Sequence, residues 1–286
     1  MASLISLGQI IDKTIAHYKK HFVELFSISA WIAVASVPAA LSKLLDPYVV
    51  NTPATPLHIF AIVLKDLGAL LIMVVSVWVL LSTILAVSEQ ASGATPNHKA
   101  RALRAWKLFF PYAWLFILTL LVIAVILIPP MLGVGLILID GLRETSSILS
   151  SLGGILILVG SLFSFVFLVK YSIKYGFSPY SLVLDNKRGV QALKHSASLV
   201  AGRWWEAFYR FVIPKVLFSV IIFILNILLL ASLAVLLVVL IADLALYQGL
   251  GNASWLILSS LVTAISLPLF AVTDFYIYDS LRNTRS

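Results

Sequence analysis

Apolar residues fill this chain in long blocks, and polar residues gather in the short stretches between them. Leu115 to Leu138 and Val216 to Ile241 hold only a few hydroxyls and amides. Apolar runs of about 20 residues are long enough for a helix to cross the hydrocarbon core of a bilayer. Six spans are predicted on this pattern, at Phe22 to Leu45, Ile59 to Val87, Tyr112 to Ile139, Ile148 to Val169, Phe211 to Ala242 and Trp255 to Tyr278. The fifth is overlong. Its ~32 residues would reach roughly 48 Å against a core of about 30 Å, so it must tilt, bend or project, and Pro214 offers a place to bend.

A second pattern precedes the odd-numbered spans. Leu4, Leu7, Ile11, Ile15 and Tyr18 recur at helical spacing, with Asp12, Lys13, Lys19 and Lys20 on the other side. Between Asn97 and Phe110, Leu103, Trp106 and Phe110 share a face beside Lys99, Arg101, Arg104 and Lys107. Between Lys187 and Trp204, Val190, Leu193, Ala197, Val200 and Trp204 form a stripe opposite Gln191, Lys194 and Ser198. Each segment ends in a basic-aromatic cluster. The expectation is a single integral membrane domain over 1–286. Its repeat units would be about 1–90, 91–176 and 177–286, each an amphipathic interfacial helix followed by two spans, giving a possible threefold repeat.

Composition agrees with a membrane protein. The chain is 61% hydrophobic and 11% charged, whereas soluble domains carry about 25% charged residues. The formal net charge of +8 would suggest nucleic acid in a soluble protein. Here it reads as cations flanking membrane helices, with no nucleic-acid partner. Lys and Arg crowd the segments that an N-terminus-inside topology places in the cytoplasm, from Lys13, Lys19 and Lys20 to Arg282 and Arg285. Only Lys43, Lys65 and Arg143 fall outside, among the acids Asp46, Asp140, Glu144 and Asp243, and the Asn252-Ala253-Ser254 sequon also faces out. Both termini are therefore expected in the cytoplasm. No cleavable signal peptide is expected, because the N-terminus lacks a short apolar core with a small-residue cleavage site. With no cysteine, disulfides and thiolate chemistry are excluded.

The stretch "VAGRWWEAFYRF", Val200 to Phe211, holds two of the seven tryptophans. Arg203, Trp204, Trp205 and Arg210 are expected at the headgroup level of the inner leaflet. Indoles favour that level, and arginines there reach phosphates. Plain anchoring and a specific lipid-headgroup pocket are both open. Lys19, Lys20, Lys99, Arg101, Arg104 and Lys107 are expected to form the other basic patches facing anionic phospholipid headgroups.

Two stretches resemble a known family. "LISLGQIIDKTIAHYKKHFVELFSISAW", Leu4 to Trp31, is similar to the N-terminal signature of the glycerophosphoryl diester phosphodiesterase membrane-domain-like proteins and of related six-span bacterial inner-membrane proteins. Phe177 to Phe211 resembles the second signature through Pro179, Asp185, Lys187, Gly189, Ala192, Leu193, Lys194, Ser196, Gly202, Arg203 and Trp204. The resemblance implies a six-span domain in a bacterial cytoplasmic membrane. In named members a soluble catalytic barrel follows this domain. Here the sequence ends at Ser286, just after the sixth span, so the phosphodiesterase chemistry is not expected.

Ionisable residues inside a membrane often mark transport or catalysis. Glu24, Glu89 and Asp274 stand toward the inner ends of their spans, and Lys65, Asp66 and Asp243 toward the outer ends. Asn226 is the strongly polar residue well inside a span, suited to joining helices by a hydrogen bond worth about 1 kcal/mol. At least one of Glu24 and Asp274 is expected near a cation such as Lys20, Arg203, Arg210 or Lys215. His17 and His21, four apart, are a weak metal pair without an accompanying acid motif, and His58, His98 and His195 read as isolated. Neither a phosphate-binding glycine loop nor a Gly-x-Ser-x-Gly elbow occurs, so no catalytic residue, metal or cofactor is assigned. Gly133-Val134-Gly135 after Pro129-Pro130 reads as a helix break in the third span. The expected role is a non-enzymatic scaffold or lipid-organising protein. The alternatives are a transporter or flippase for a lipid or small amphipathic molecule, which would need a polar path, and an intramembrane enzyme, which would need an acid-base set.

Overall fold

The computed structural model describes residues 4–49, 55–143, 147–241 and 243–284. Glu144, Arg285 and the expected end of the fifth span at Ala242 lie outside the described residues. Among those described, every regular element is α-helical. They are α1 (Leu7–Lys20), α2 (Phe22–Ser29), α3 (Trp31–Val49), α4 (Pro56–Ser92), α5 (His98–Arg143), α6 (Ser147–Tyr175), α7 (Ser178–Asp185), α8 (Val190–Val200), α9 (Trp204–Leu240) and α10 (Leu244–Asn283). Six stretches are long and apolar enough to cross a membrane: Phe22–Asp46, Pro56–Ser92, His98–Gly141, Ile148–Asp185, Trp204–Leu240 and Leu244–Asn283. This is a multi-pass helical membrane protein.

The chain forms two compact units, one from Met1–Phe109 with Tyr209–Thr284, the other from Phe110–Phe208. In the first, α3 packs on α4 and α10, and α1 and α2 pack against α10. Its fully buried side chains include Ile10, Leu25, Leu81, Ile84 and Tyr278. A Cβ on Gly68 would stand 2.5 Å from the backbone nitrogen of Ala39, so α4 meets α3 where only hydrogen fits. The first span is interrupted at Ala30, between α2 and α3. Beside the interruption the Ser29 hydroxyl lies within hydrogen-bond reach of the carbonyls of Leu25, Phe26 and Ala264. Pro268 in α10 has no N–H to give the Ala264 carbonyl, and Ser29 takes that place.

In the second unit, α5 and α6 run antiparallel along a seam of small residues. A Cβ on Gly133 would meet the carbonyl of Gly153 at 2.7 Å, and one on Gly160 would meet Pro130 N at 2.9 Å. Ser164 Oγ donates to the carbonyl of Ile126 at 2.6 Å. At the seam's end Asp140 accepts from Ser150 through its amide and its hydroxyl. The helix break expected at Gly133-Val134-Gly135, after Pro129-Pro130, is corrected: α5 passes through both prolines and both glycines. Neighbouring α6 supplies the hydroxyl that the missing proline N–H leaves wanting, and the glycines serve close helix approach.

Three other expectations change. The segment from Asn97 to Phe110 is not a separate interfacial helix, because His98 onward is the start of α5. Its apolar face is also reversed: Leu103, Trp106 and Phe110 are exposed, while Arg101, Ala105 and Leu108 are buried. The fifth helix begins at Trp204 rather than Phe211, so Trp204 and Trp205 are its first residues. In α1 the buried face is Ile10, Thr14 and His17, with the expected stripe of Leu7, Ile11, Ile15 and Tyr18 half-buried beside it.

Candidate functional site

In the first unit five helices bring polar side chains to one place. Arg101, in the first turn of α5, is 4% exposed. Its Nη2 donates to Glu24 Oε1 at 2.7 Å and its Nη1 to Glu89 Oε2 at 3.1 Å. Nη2 also lies 2.6 Å from Nδ1 of His98. Gln90 Nε2 donates to the other Glu24 oxygen at 2.7 Å. Gln90 Oε1 is 2.9 Å from His17 Nε2, and His17 Nδ1 is 3.0 Å from the Tyr276 hydroxyl.

The donors follow in order along this chain. The Gln90 amide NH2 is committed to Glu24, so its carbonyl accepts and His17 Nε2 carries the proton. Burial holds His17 below its ordinary pKa against the raising effect of Gln90, and His21 and Lys20 lower it further. Neutral His17 then accepts at Nδ1 from the Tyr276 O–H. Burial also pushes Tyr18 up to about 12, and its hydroxyl donates to the Ile265 carbonyl at 2.8 Å. Both His17 nitrogens are occupied, which leaves no lone pair for a metal beside His21. One guanidinium between two carboxylates gives a hydrogen-bonded, compensated cluster, the arrangement a buried charge requires.

A second ion pair joins α9 to α10 in the same unit. Lys215 Nζ is 2.9 Å from each oxygen of Asp274 and stands 3.3 Å from the centroid of Phe211. The expected pairing of Asp274 with Lys215 is present. Glu24 pairs instead with Arg101, because that helix start lies beside it.

The second unit carries two recesses. A groove of about 490 Å³ is lined from α6 by Phe165, Val166, Val169 and Lys170 and from α9 by Trp204, Trp205 and Phe208. The Trp204 indole N–H points to the Lys170 carbonyl at 3.4 Å. The rings of Trp204 and Phe208 stack at 5.1 Å, while Trp205 is 63% exposed. A cavity of about 250 Å³ lies between α5 and α6 under α7, with Tyr112, Tyr171 and Tyr175 in its wall. Nearby, Ser181 Oγ is 3.0 Å and Asp185 Oδ2 3.7 Å from His195. Both address Nδ1, whereas a nucleophilic triad needs its serine and its acid on opposite ring nitrogens.

The remaining candidates fall as follows. Lys19, Lys20, Lys99, Arg104 and Lys107 are exposed. Arg101 is not a headgroup contact, because it is buried in the ion cluster. Arg203 and Arg210 are half-buried, and Arg210 Nε donates to the Ile5 carbonyl at 2.7 Å, tying the N-terminal segment to α9. Asn226 is half-buried and joins no helices by a hydrogen bond among the described residues. Sequence reasoning missed Gln90, His98, Tyr276 and the role of His17. Their only prior signal was a run of polar residues, Ser88 to Gln90, closing an apolar helix. Comparison with protein-family models, curated proteins and solved structures finds no match for this chain.

Proposed function

We propose that this chain is a non-enzymatic membrane protein that holds and organises bilayer lipid at its basic, aromatic-rich side. The observation carrying the reading is the groove of Trp204, Trp205 and Phe208 against α6, with Lys170 at its edge. Its walls belong to two helices long enough to span a membrane, so acyl chains are the material at hand. Indole rings and a lysine suit the level where chain gives way to phosphate. Exposed Lys99, Arg104 and Lys107 add attraction for anionic lipid of roughly 1 kcal/mol each. The Lys and Arg distribution fits an orientation with both termini in the cytoplasm, and the bacterial cytoplasmic membrane is the location that the resemblance at Leu4 to Trp31 and Phe177 to Phe211 implies.

Extraction into polymer nanodiscs, followed by lipid mass spectrometry, tests this. A Trp205→Ala/Phe208→Ala/Lys170→Gln variant should carry less tightly held lipid, and Lys99→Gln/Arg104→Gln/Lys107→Gln a smaller anionic fraction. Unchanged lipid in both variants would remove the support for a lipid-organising role.

A further inference from the structure

We propose that the cavity between α5 and α6 is a binding site for one phospholipid, with its phosphate among tyrosine hydroxyls and one acyl chain running toward the α5–α6 seam. The inference takes from the lipid-organising reading only that the bilayer supplies the ligand.

The cavity has a cause in the packing of the two helices. From Ile126 to Asp140, α5 lies against α6 at backbone distance, through Gly133, Gly153 and Gly160. Past Ile126 the close glycine contacts between the two helices stop. Tyr112, Phe116, Tyr171 and Tyr175 replace them, and these side chains hold the helices apart around about 250 Å³. That volume falls below the usual range of about 300–1,000 Å³ for sites that enclose a whole ligand, and suits a headgroup with the first part of one chain while the rest of the lipid stays in the bilayer.

The lining changes character along its length. Toward the seam it is Val122, Ile123 and Leu168. Toward α7 it is Tyr112, Tyr175 and Ser178. Antiparallel helices make both walls grade in the same direction, apolar to hydroxylic, which is the order of a lipid from chain to headgroup. On α6 the same gradient appears as an aromatic ladder, Phe163 to Phe167 at 4.3 Å and Tyr171 to Tyr175 at 5.5 Å.

The hydroxyls of Tyr112, Tyr171 and Tyr175 engage no hydrogen-bond partner among the described residues. No carboxylate lines the cavity. Lys174 Nζ stands 5.4 Å and 5.5 Å from the Tyr171 and Tyr175 ring centroids, which puts a positive charge beside this end. Phenolic donors beside a lysine, with no competing acid, suit a phosphate oxygen.

The test is native mass spectrometry on purified, delipidated protein after exposure to vesicles of phosphatidylglycerol and phosphatidylethanolamine. Wild type should retain one phospholipid per chain beyond any held in the outer groove. Tyr112→Phe/Tyr171→Phe/Tyr175→Phe keeps the rings and removes the hydroxyls, and should bind about tenfold more weakly. Val122→Trp, which fills the apolar half, should also lose the lipid. Trp205→Ala/Phe208→Ala should retain it, so this site and the outer groove fail separately. Circular dichroism identifies a variant that has failed to fold, and the tyrosine variant then decides alone. Undiminished retention in a folded tyrosine variant overturns the proposal. So does displacement of the lipid by millimolar inorganic phosphate, which would make free phosphate the ligand.

Discussion

Ser164 Oγ donates a 2.6 Å hydrogen bond to the carbonyl of Ile126, the acceptor four residues before Pro130 that the proline leaves without its helical N–H. A neighbouring helix thereby completes a backbone interrupted by its own sequence. Ser29 and the Ala264 carbonyl, four before Pro268, repeat the arrangement in the other unit. In a bilayer no water replaces such a bond, so each of these two serines satisfies a carbonyl that the facing proline leaves open.

Ser164→Ala should therefore lower stability by about 1 kcal/mol. In a Pro130→Leu background, where the helix supplies its own N–H, the same change should cost less. A double-mutant cycle from thermal melts in detergent measures the coupling. Additive effects would separate Ser164 from the proline.

Glycines on α6 should differ according to what faces them. A Cβ added to Gly153 would stand 2.7 Å from the Gly133 carbonyl oxygen, whereas Gly154 faces open space. Gly153→Ala should cost about 1–3 kcal/mol through overpacking. Gly154→Ala should be neutral or mildly stabilising. Equal melting temperatures for the two variants would contradict a backbone-contact seam.

Removing the central cation of the first unit leaves two carboxylates facing each other. Arg101→Leu should destabilise by about 3–5 kcal/mol. Glu24→Gln, which leaves Arg101 its bond to Glu89, should be milder. Melting curves that rank the two in the opposite order would show that Glu89 and His98 cannot hold the guanidinium.

The lowered pKa of His17 has a definite sign. The folded state favours the neutral ring, so its stabilisation is full above the ordinary value of 6.5 and is lost as pH falls through the folded pKa. Wild type should lose melting temperature on acidification below that value more steeply than His17→Phe. Parallel pH profiles would dissociate His17 from acid sensitivity.

Topology is open to labelling because the chain has no native cysteine. Thr95→Cys and Asn186→Cys, both at exposed positions, should resist an impermeant thiol reagent in intact cells, and Asn252→Cys should react. Labelling in the reverse pattern would invert the proposed orientation.

Helix existence was legible because each span is an apolar run of sufficient length, and the six runs all became helices. Helix starts were less legible. Trp204 and Trp205 read as a junction, yet nothing in their chemistry opposes helix, and α9 begins with them. The short amphipathic segments misled about facing. In water the apolar stripe of a helix turns inward, but lipid accepts Leu103, Trp106 and Phe110 as readily as a protein core does. The face that needed protein was the one carrying Arg101, because its charge had to be met by Glu24 and Glu89.

By itself the sequence determined the class of protein, since apolar run length against bilayer thickness is a local property. It also determined where prolines would interrupt backbone bonding. The tertiary structure alone decided which residues became partners. Glu24 meets Arg101 across 77 positions, and His17 meets Tyr276 across 259. Such pairings depend on how helices from distant parts of the chain pack together, and no periodicity within one helix encodes its neighbour. The cavity at Tyr112 and Tyr175 arose in the same way, from two helices held in contact at one end by glycine and apart at the other by aromatic rings.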